Sequence, residues 1–283
     1  MKSNTQIWTE EIKAQNLLFS INVKEIWHYR DLLLMLVKRD YVTFYKQTIL
    51  GPVWFFIQPL MTTIVYLVLF GQIAKLSTDG APQVAFYLAG ITIWNYFSES
   101  LTKTSTVFKD NANLFGKVYF PRLIMPLAIV FSGLMKFAIQ FGLFVIVVLY
   151  FTFIDEQIHP NLWILITPFL ILLMATFALG LGMIFSSLTT KYKDLVFLLT
   201  FGIQLFMYAT PVVYPRSAMP ERLGWVLNIN PLTGIFECFR FAYLGTGYFQ
   251  LSDLMLSAIL IFVLFFIGIL IYNRVEKSFM DTV

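Results

Sequence analysis

Charge is scarce in this sequence. Asp, Glu, Lys and Arg make up 13% of its 283 residues, where soluble globular domains carry ~25%. Histidine occurs only as His28 and His159, far apart and in no metal-ligand spacing. Cys238 is the single cysteine, so no disulfide can form within the chain and the redox compartment stays open. No phosphate loop of the pattern G-x-x-x-x-G-K-S/T occurs, so the chain does not hydrolyse nucleotide alone. Energy for active transport would come from an ion gradient or from a partner. Asp155-Glu156 is a carboxylate pair that a solvated turn explains. Charged residues punctuate the first fifty positions, among them Glu10, Glu11, Lys13, Lys24 and Glu25, so no cleavable signal peptide is expected. No internal repeat is visible, which weakens secondary-transporter architectures built from repeated halves.

Apolar residues dominate instead. They form 58% of the chain, with a mean hydropathy of +0.75, and predict an all-α polytopic membrane protein. The expected organisation is a cytoplasmic N-terminal segment, residues 1–52, with an interface helix, then a transmembrane domain, residues 53–283. Six spans are expected, at about 53–73, 84–107, 123–154, 162–188, 195–213 and 254–272.

The flanking segments are informative. Lys24 to Val37 has charges at both ends, a Trp27/Tyr29 pair and an apolar run too short to span. It reads as an amphipathic helix in the membrane interface, or as a helix packed on the rest of the protein. The second span is strongly apolar to Phe97 and then polar from Ser98 to Ser105, so that half faces other helices, a watery cavity or the aqueous boundary. In the fourth span Ala178, Gly182 and Ser186 lie four apart, a stripe that allows close helix approach. Between the fifth and sixth spans, Pro211 and Pro215 break the apolar run, and Asn230-Pro231 opens a helical pattern through Leu244 with Gly245 as its stop. At ~1.5 Å per residue this helix cannot cross a ~30 Å core, and it reads as re-entrant or interfacial.

Fifteen Lys and Arg fall on the side holding both termini and four on the other, which places both termini in the cytoplasm. Within membrane depth, Glu99 and Lys103 can pair on one helix face and Lys136 can join them from the third span. Mutual neutralisation is preferred over direct substrate contact. Aromatic side chains make up 18% of the chain. Tyr87, Trp94, Tyr96 and Phe97, with Phe206, Tyr208 and Tyr214, form clusters suited to stacking on sugar rings.

Several runs resemble polysaccharide-exporting ABC transporter permeases of the ABC-2 type. They are Arg30-Asp31-Leu32-Leu33-Leu34 through Arg39-Asp40, Leu50-Gly51-Pro52-Val53-Trp54 with Gln58-Pro59-Leu60, Asn113-Leu114 with Lys117-Val118-Tyr119-Phe120-Pro121-Arg122, Ala209-Thr210-Pro211-Val212-Val213-Tyr214-Pro215, and Asn230-Pro231-Leu232-Thr233-Gly234. The resemblance implies a homodimer joined by two copies of an ATP-binding subunit, which would hold ATP and Mg while this chain holds no cofactor and is no enzyme. It implies an inner-membrane exporter of lipid-linked polysaccharide, O-antigen first and capsule or teichoic acid as alternatives, with membrane lipids but no nucleic acid as partners. It assigns Trp27, Arg30, Leu50 and Gly51 to the cytoplasmic approach and Asn113, Lys117, Tyr119 and Arg122 to ATPase coupling. It assigns Pro211, Pro215, Pro231, Phe236, Phe239 and Arg240 to an external gate, and the aromatics above to the channel. A membrane-embedded transferase and an ion-coupled transporter are the rival classes.

Overall fold

The computed structural model describes residues 23–46, 51–115, 117–155, 157–247 and 249–278. All regular structure among them is helical. The N-terminal region forms α1 (Val23–His28) and α2 (Arg30–Lys46). α3 (Trp54–Tyr66) continues as a π-helical segment, Leu67–Ile73. α4 (Gln83–Ser105) is followed by two single turns, α5 (Val107–Asp110) and α6 (Ala112–Phe115). α7 (Ile124–Phe153) leads to a 3-10 turn, Leu162–Ile166, and α8 (Thr167–Lys191). Then come α9 (Leu195–Ala209), α10 (Gly224–Ile229), α11 (Thr233–Leu244) and α12 (Leu251–Ser278).

Among the described residues four helical stretches are long and apolar enough to cross a membrane: Trp54–Ile73, Ile124–Phe153, Leu162–Lys191 and Leu251–Val275. α4 has the length, at 23 residues, but its second half is polar. α9 is apolar but has only 15 residues, a reach of ~22 Å. It stops at Ala209 rather than running to Val213, because Thr210 precedes a proline and takes the extended conformation, φ −109° and ψ 143°.

α8 is the central helix and packs against both α4 and α12. Lipid tails are as apolar as leucine, so close backbone approach and hydrogen bonds hold such helices together. A Cβ on Gly182 would come within 2.5 Å of the Thr104 side chain on α4. Ala178 and Ser186 on the same stripe are fully buried. Gly180 meets the α12 backbone at Phe265 and Gly268, a second small-residue contact on α8 outside the expected stripe. The Thr189 hydroxyl donates to the Ser105 carbonyl at 2.7 Å, and Phe97 stacks on Phe177 at 5.1 Å.

α2 runs on to Lys46, beyond the expected Val37, and packs one face on α7. Its Leu36 is buried, while Leu34, Met35 and the α1 residue Trp27 are exposed. The packing on the rest of the protein is thus observed for one face, and the other face leaves apolar side chains exposed.

α11 ends at Leu244 as its residues predict but begins at Thr233, with Leu232 rather than Asn230 at its N-cap. The Asn230 side-chain oxygen accepts from the Leu232 N–H at 2.9 Å, and Gly245 closes the helix in the left-handed conformation at φ 71°. The helix is buried nearly all round, against α4, α8, α12 and the 3-10 turn. The Asn161 amide donates to the Phe241 carbonyl at 2.8 Å, and the Asn161 backbone N–H donates to the Ala242 carbonyl at 3.0 Å. Thr167 and Tyr243 share a hydroxyl–hydroxyl bond of 3.0 Å. These contacts fasten α11 to the start of α8.

Candidate functional site

At one end of α4 the chain between α9 and α12 folds back over the bundle. Pro211 and Pro215 are buried there and Pro231 is half-buried. Arg240 projects from α11 under this segment. Its guanidinium donates to the Val212 carbonyl at 2.5 Å and to the Tyr214 carbonyl at 3.2 Å. It also lies 3.8 Å from the centre of the Phe86 ring on α4 and 3.7 Å from the Glu237 carboxylate. Two carbonyls left unpaired where α9 ends are thus satisfied by one cation, itself stabilised by an aromatic face and a carboxylate.

The network continues outward. Glu237 accepts from the Arg216 backbone N–H at 3.3 Å. The Arg216 guanidinium pairs with Asp253 and donates to the Asn228 side chain at 2.8 Å. The Ser217 hydroxyl donates to Asp79, before α4, at 2.6 Å. The Asn230 amide donates to the Ala209 carbonyl at 2.9 Å and to the Thr210 hydroxyl at 2.8 Å. Burial pulls the Arg240 guanidinium down to about 10, still protonated at neutral pH, and pushes the Glu237 carboxyl above its ordinary range despite the Arg240 charge. Sequence reasoning named Arg240 but missed Glu237, Arg216 and Asp253. The one local signal was the three-residue spacing of Glu237 and Arg240 on a helix.

Phe236 and Phe239, the two aromatics expected in a gate, are fully buried. Phe239 packs on Phe144 at 5.3 Å and on Tyr243 at 4.7 Å. The expected channel aromatics divide. Tyr87, Trp94, Tyr96 and Phe97 are all buried within the chain. Trp94 and Phe97 each lie 6.1 Å from Phe206, which is half-buried, and Tyr96 packs on Phe137 at 5.4 Å. Tyr208 is 55% exposed, and the half-buried Tyr214 donates its hydroxyl to the Tyr208 carbonyl at 2.8 Å.

At the other end of α4, its second half presents two faces. Ser100, Leu101, Thr104 and Ser105 are buried. The Glu99 carboxylate holds Lys103 at 2.9 Å with one oxygen and Lys136 of α7 at 2.7 Å with the other. The three-charge cluster expected from spacing is therefore present.

After α4 comes the expected coupling segment. α5 and α6 are anchored by aromatic contacts, Phe108 on Tyr272 at 4.7 Å and Phe115 on Phe120 at 5.5 Å. The Tyr272 hydroxyl donates to the Arg122 carbonyl at 3.2 Å, and the Arg122 guanidinium covers the Phe115 ring at 5.9 Å. On this anchored base Asn113, Lys117, Val118 and Tyr119 are exposed. An anchored base with an exposed, mixed apolar and basic tip is a surface that another protein can grip. At the N-terminal side the Arg30 guanidinium sits 5.6 Å above the Trp27 ring, both exposed. Gly51 is buried at φ 51°, a conformation that favours glycine, and Leu50 lies outside the described residues.

A sequence model of the ABC-2 type transporter matches residues 31–244. The chain is 27% identical over 253 residues to an O-antigen export system permease protein RfbA of Klebsiella pneumoniae, covering 89% of this chain and 94% of the relative. A protein of the same name from Myxococcus xanthus is 25% identical over 263 residues, covering 92% and 98%. The capsule polysaccharide export inner-membrane protein CtrC of Neisseria meningitidis is 22% identical over 251 residues, covering 86% and 90%. The family match takes in α2 from Asp31, the polar half of α4, the segment from Val107 to Arg122 and the buried network as far as Leu244, about three-quarters of the chain, and on that ground the chain belongs to the ABC-2 type transporter family.

Proposed function

We propose that this chain is the membrane-spanning subunit of an ATP-driven exporter that moves lipid-linked polysaccharide, O-antigen in the first instance, from the cytoplasm to the outer side of the bacterial cytoplasmic membrane. The observation that carries this reading is end-to-end similarity to O-antigen export permeases, over about nine-tenths of both chains. The Neisseria relative supports capsule export as the second reading.

The working assembly is a homodimer with two copies of an ATP-binding subunit. Six spans are the topology, with α4 and α9 added to the four long apolar helices and both termini cytoplasmic. The charge asymmetry of the loops supports this orientation. Asn113, Lys117, Tyr119 and Arg122 then belong to the ATPase contact, and the exposure of Lys117 and Tyr119 favours it. Trp27, Arg30, Leu50 and Gly51 border the approach of the lipid carrier, with Arg30 near the headgroups. The segment from Pro211 to Arg240 closes the outer end. Exposure favours Tyr208 for an aromatic channel lining, while the row from Tyr87 to Phe97 would join it only if α4 parts from α8 and α9.

Deleting the chain should abolish surface polysaccharide, and the purified chain should bring a separate ATPase with it. Reversing charge at Lys117 and Arg122 should lower complex yield or ATPase stimulation. Transferase activity of the isolated chain, or gradient-driven transport without ATP, would overturn the reading.

A further inference from the structure

The polar half of α4 borders an open cleft between α3 and α7, with a volume of about 290 Å³. Its wall is made of two amides, Gln58 and Asn95, two hydroxyl groups, Ser98 and Thr102, and the Glu99, Lys103 and Lys136 cluster. Among the described residues no aromatic or aliphatic side chain lines it. Lipid tails filling this space would put the Glu99, Lys103 and Lys136 charges against hydrocarbon and leave the polar lining with no more than its internal bonds, so the cleft holds water or a polar solute.

The wall discriminates among solutes. A phosphate calls for arginine forks or several uncompensated cations. Here no arginine lines the cleft, and Glu99 stands between the two lysines and neutralises one of them. A metal cation would meet a single carboxylate whose two oxygens each hold an ammonium group. Sugar hydroxyls both donate and accept, and amides and hydroxyls do the same. Ser98 and Thr102 spend their protons on carbonyls within their own helix, at 3.3 and 2.7 Å, which leaves their oxygens open to accept. Asn95 is held only by a long 3.4 Å bond to Gln140, whose own amide nitrogen is buried without a hydrogen-bond partner. The half-buried Asn95 lies in the cleft wall, with Gln140 buried behind it. The volume lies near the lower end of small-molecule sites, ~300 Å³.

We propose that this cleft is a saccharide subsite, in which hydroxyl groups of the transported chain exchange hydrogen bonds with Gln58, Asn95, Ser98 and Thr102. The proposal rests on the polysaccharide-export reading. It puts the sugar track on a polar wall in the second half of α4, away from the packed aromatics of the first half. Single hydrogen bonds to neutral groups are weak and replaceable, which suits a chain that must keep moving.

The test uses the complex with its ATPase, with Ser98→Cys in a Cys238→Ala background. Inverted membrane vesicles are prepared from cells that make the lipid-linked polymer and from cells lacking its first sugar transferase, with export stalled by a hydrolysis-deficient ATPase. The probe is a water-soluble cationic methanethiosulfonate. Labelling should proceed in both vesicle types but about fivefold more slowly where polymer is present, since only the unoccupied fraction reacts. Asn95→Ala should slow export about two- to tenfold at unchanged complex yield, and Asn95→Gln should restore it. Absence of labelling would overturn the proposal by making the cleft dry. Equal labelling with and without polymer, or full export by Asn95→Ala, would also overturn it and leave the export function standing. Surface polysaccharide persisting after deletion of the chain would instead sink the export reading itself.

Discussion

Two carboxylates share cations near opposite ends of α4. Glu237 and Arg240 meet beside Phe86 in a region from which water is excluded, with side-chain exposures of 5% and 3%. Glu99 holds Lys103 and Lys136 in an open cleft, where the exposures are 29%, 61% and 20%. The first cluster spends its cation on two carbonyls of the same chain and so acts as a fastener. The second leaves the Ser98 and Thr102 oxygens beside it open to accept and so can serve a passing ligand. Similar charges are thus turned to structure or to traffic according to how many of the surrounding polar groups are already satisfied.

Breaking the fastener should give the largest effect. Arg240→Ala leaves Glu237 and the Val212 and Tyr214 carbonyls without their partner, and loss of one member of a buried pair costs ~3–5 kcal/mol. Purified protein should show a strongly lowered thermal midpoint, and accumulation in the membrane should fall. Asn230→Ala removes three bonds at the end of α9 and the start of α11 and should cost ~1–2 kcal/mol in the same measurement.

Glu237→Gln sharpens the contrast, because it keeps the shape and an acceptor for Arg216 while removing a buried charge. Burial raises the Glu237 pKa in the folded chain above its ordinary 4.5, so the folded state holds this proton more tightly than the unfolded state. Its contribution to stability is complete at low pH and is lost as pH rises through the raised value. The variant leaves Arg240 its two carbonyls and the Phe86 ring but not its carboxylate, so it should be destabilised less than Arg240→Ala and should flatten that part of the stability–pH profile. At the open cluster the effects should be smallest. Lys103→Ala removes a helix-surface pair and should cost ~0.3–0.5 kcal/mol, with Lys136→Ala somewhat above it because that lysine is less exposed. If Lys103→Ala destabilised as much as Arg240→Ala, the division between fastener and open site would fail.

The features legible in the sequence were those set by neighbours along the chain. Pro211 stops α9 through the residue before it, Asn230 and Gly245 bound α11, and Glu99 finds Lys103 one turn away. Even the second polar half of α4 announced that it could not face lipid. Arg240 was legible as a residue but not as a fastener, because its carbonyls lie 28 and 26 residues back, on a segment without regular structure. The aromatics of α4 show the same boundary. A row that lines a channel and a row that packs a core have the same composition and periodicity, and only the opposing helix distinguishes them. Here Phe177 and Phe206 occupy the space facing Phe97.

The bond from Asn161 to Phe241 spans 80 residues, and that separation has a consequence for the order in which the chain is made. At ~5–20 residues per second, the ribosome works for several seconds after Asn161 has emerged before α11 arrives to meet it. Until then the segment leading into α8 has neither of its carbonyl partners, and the surface that α11 will cover stays open. This end of the bundle cannot settle while the chain is still being made. A chain stopped before Phe241 would be inserted yet unfinished there, a natural mark for quality-control proteases.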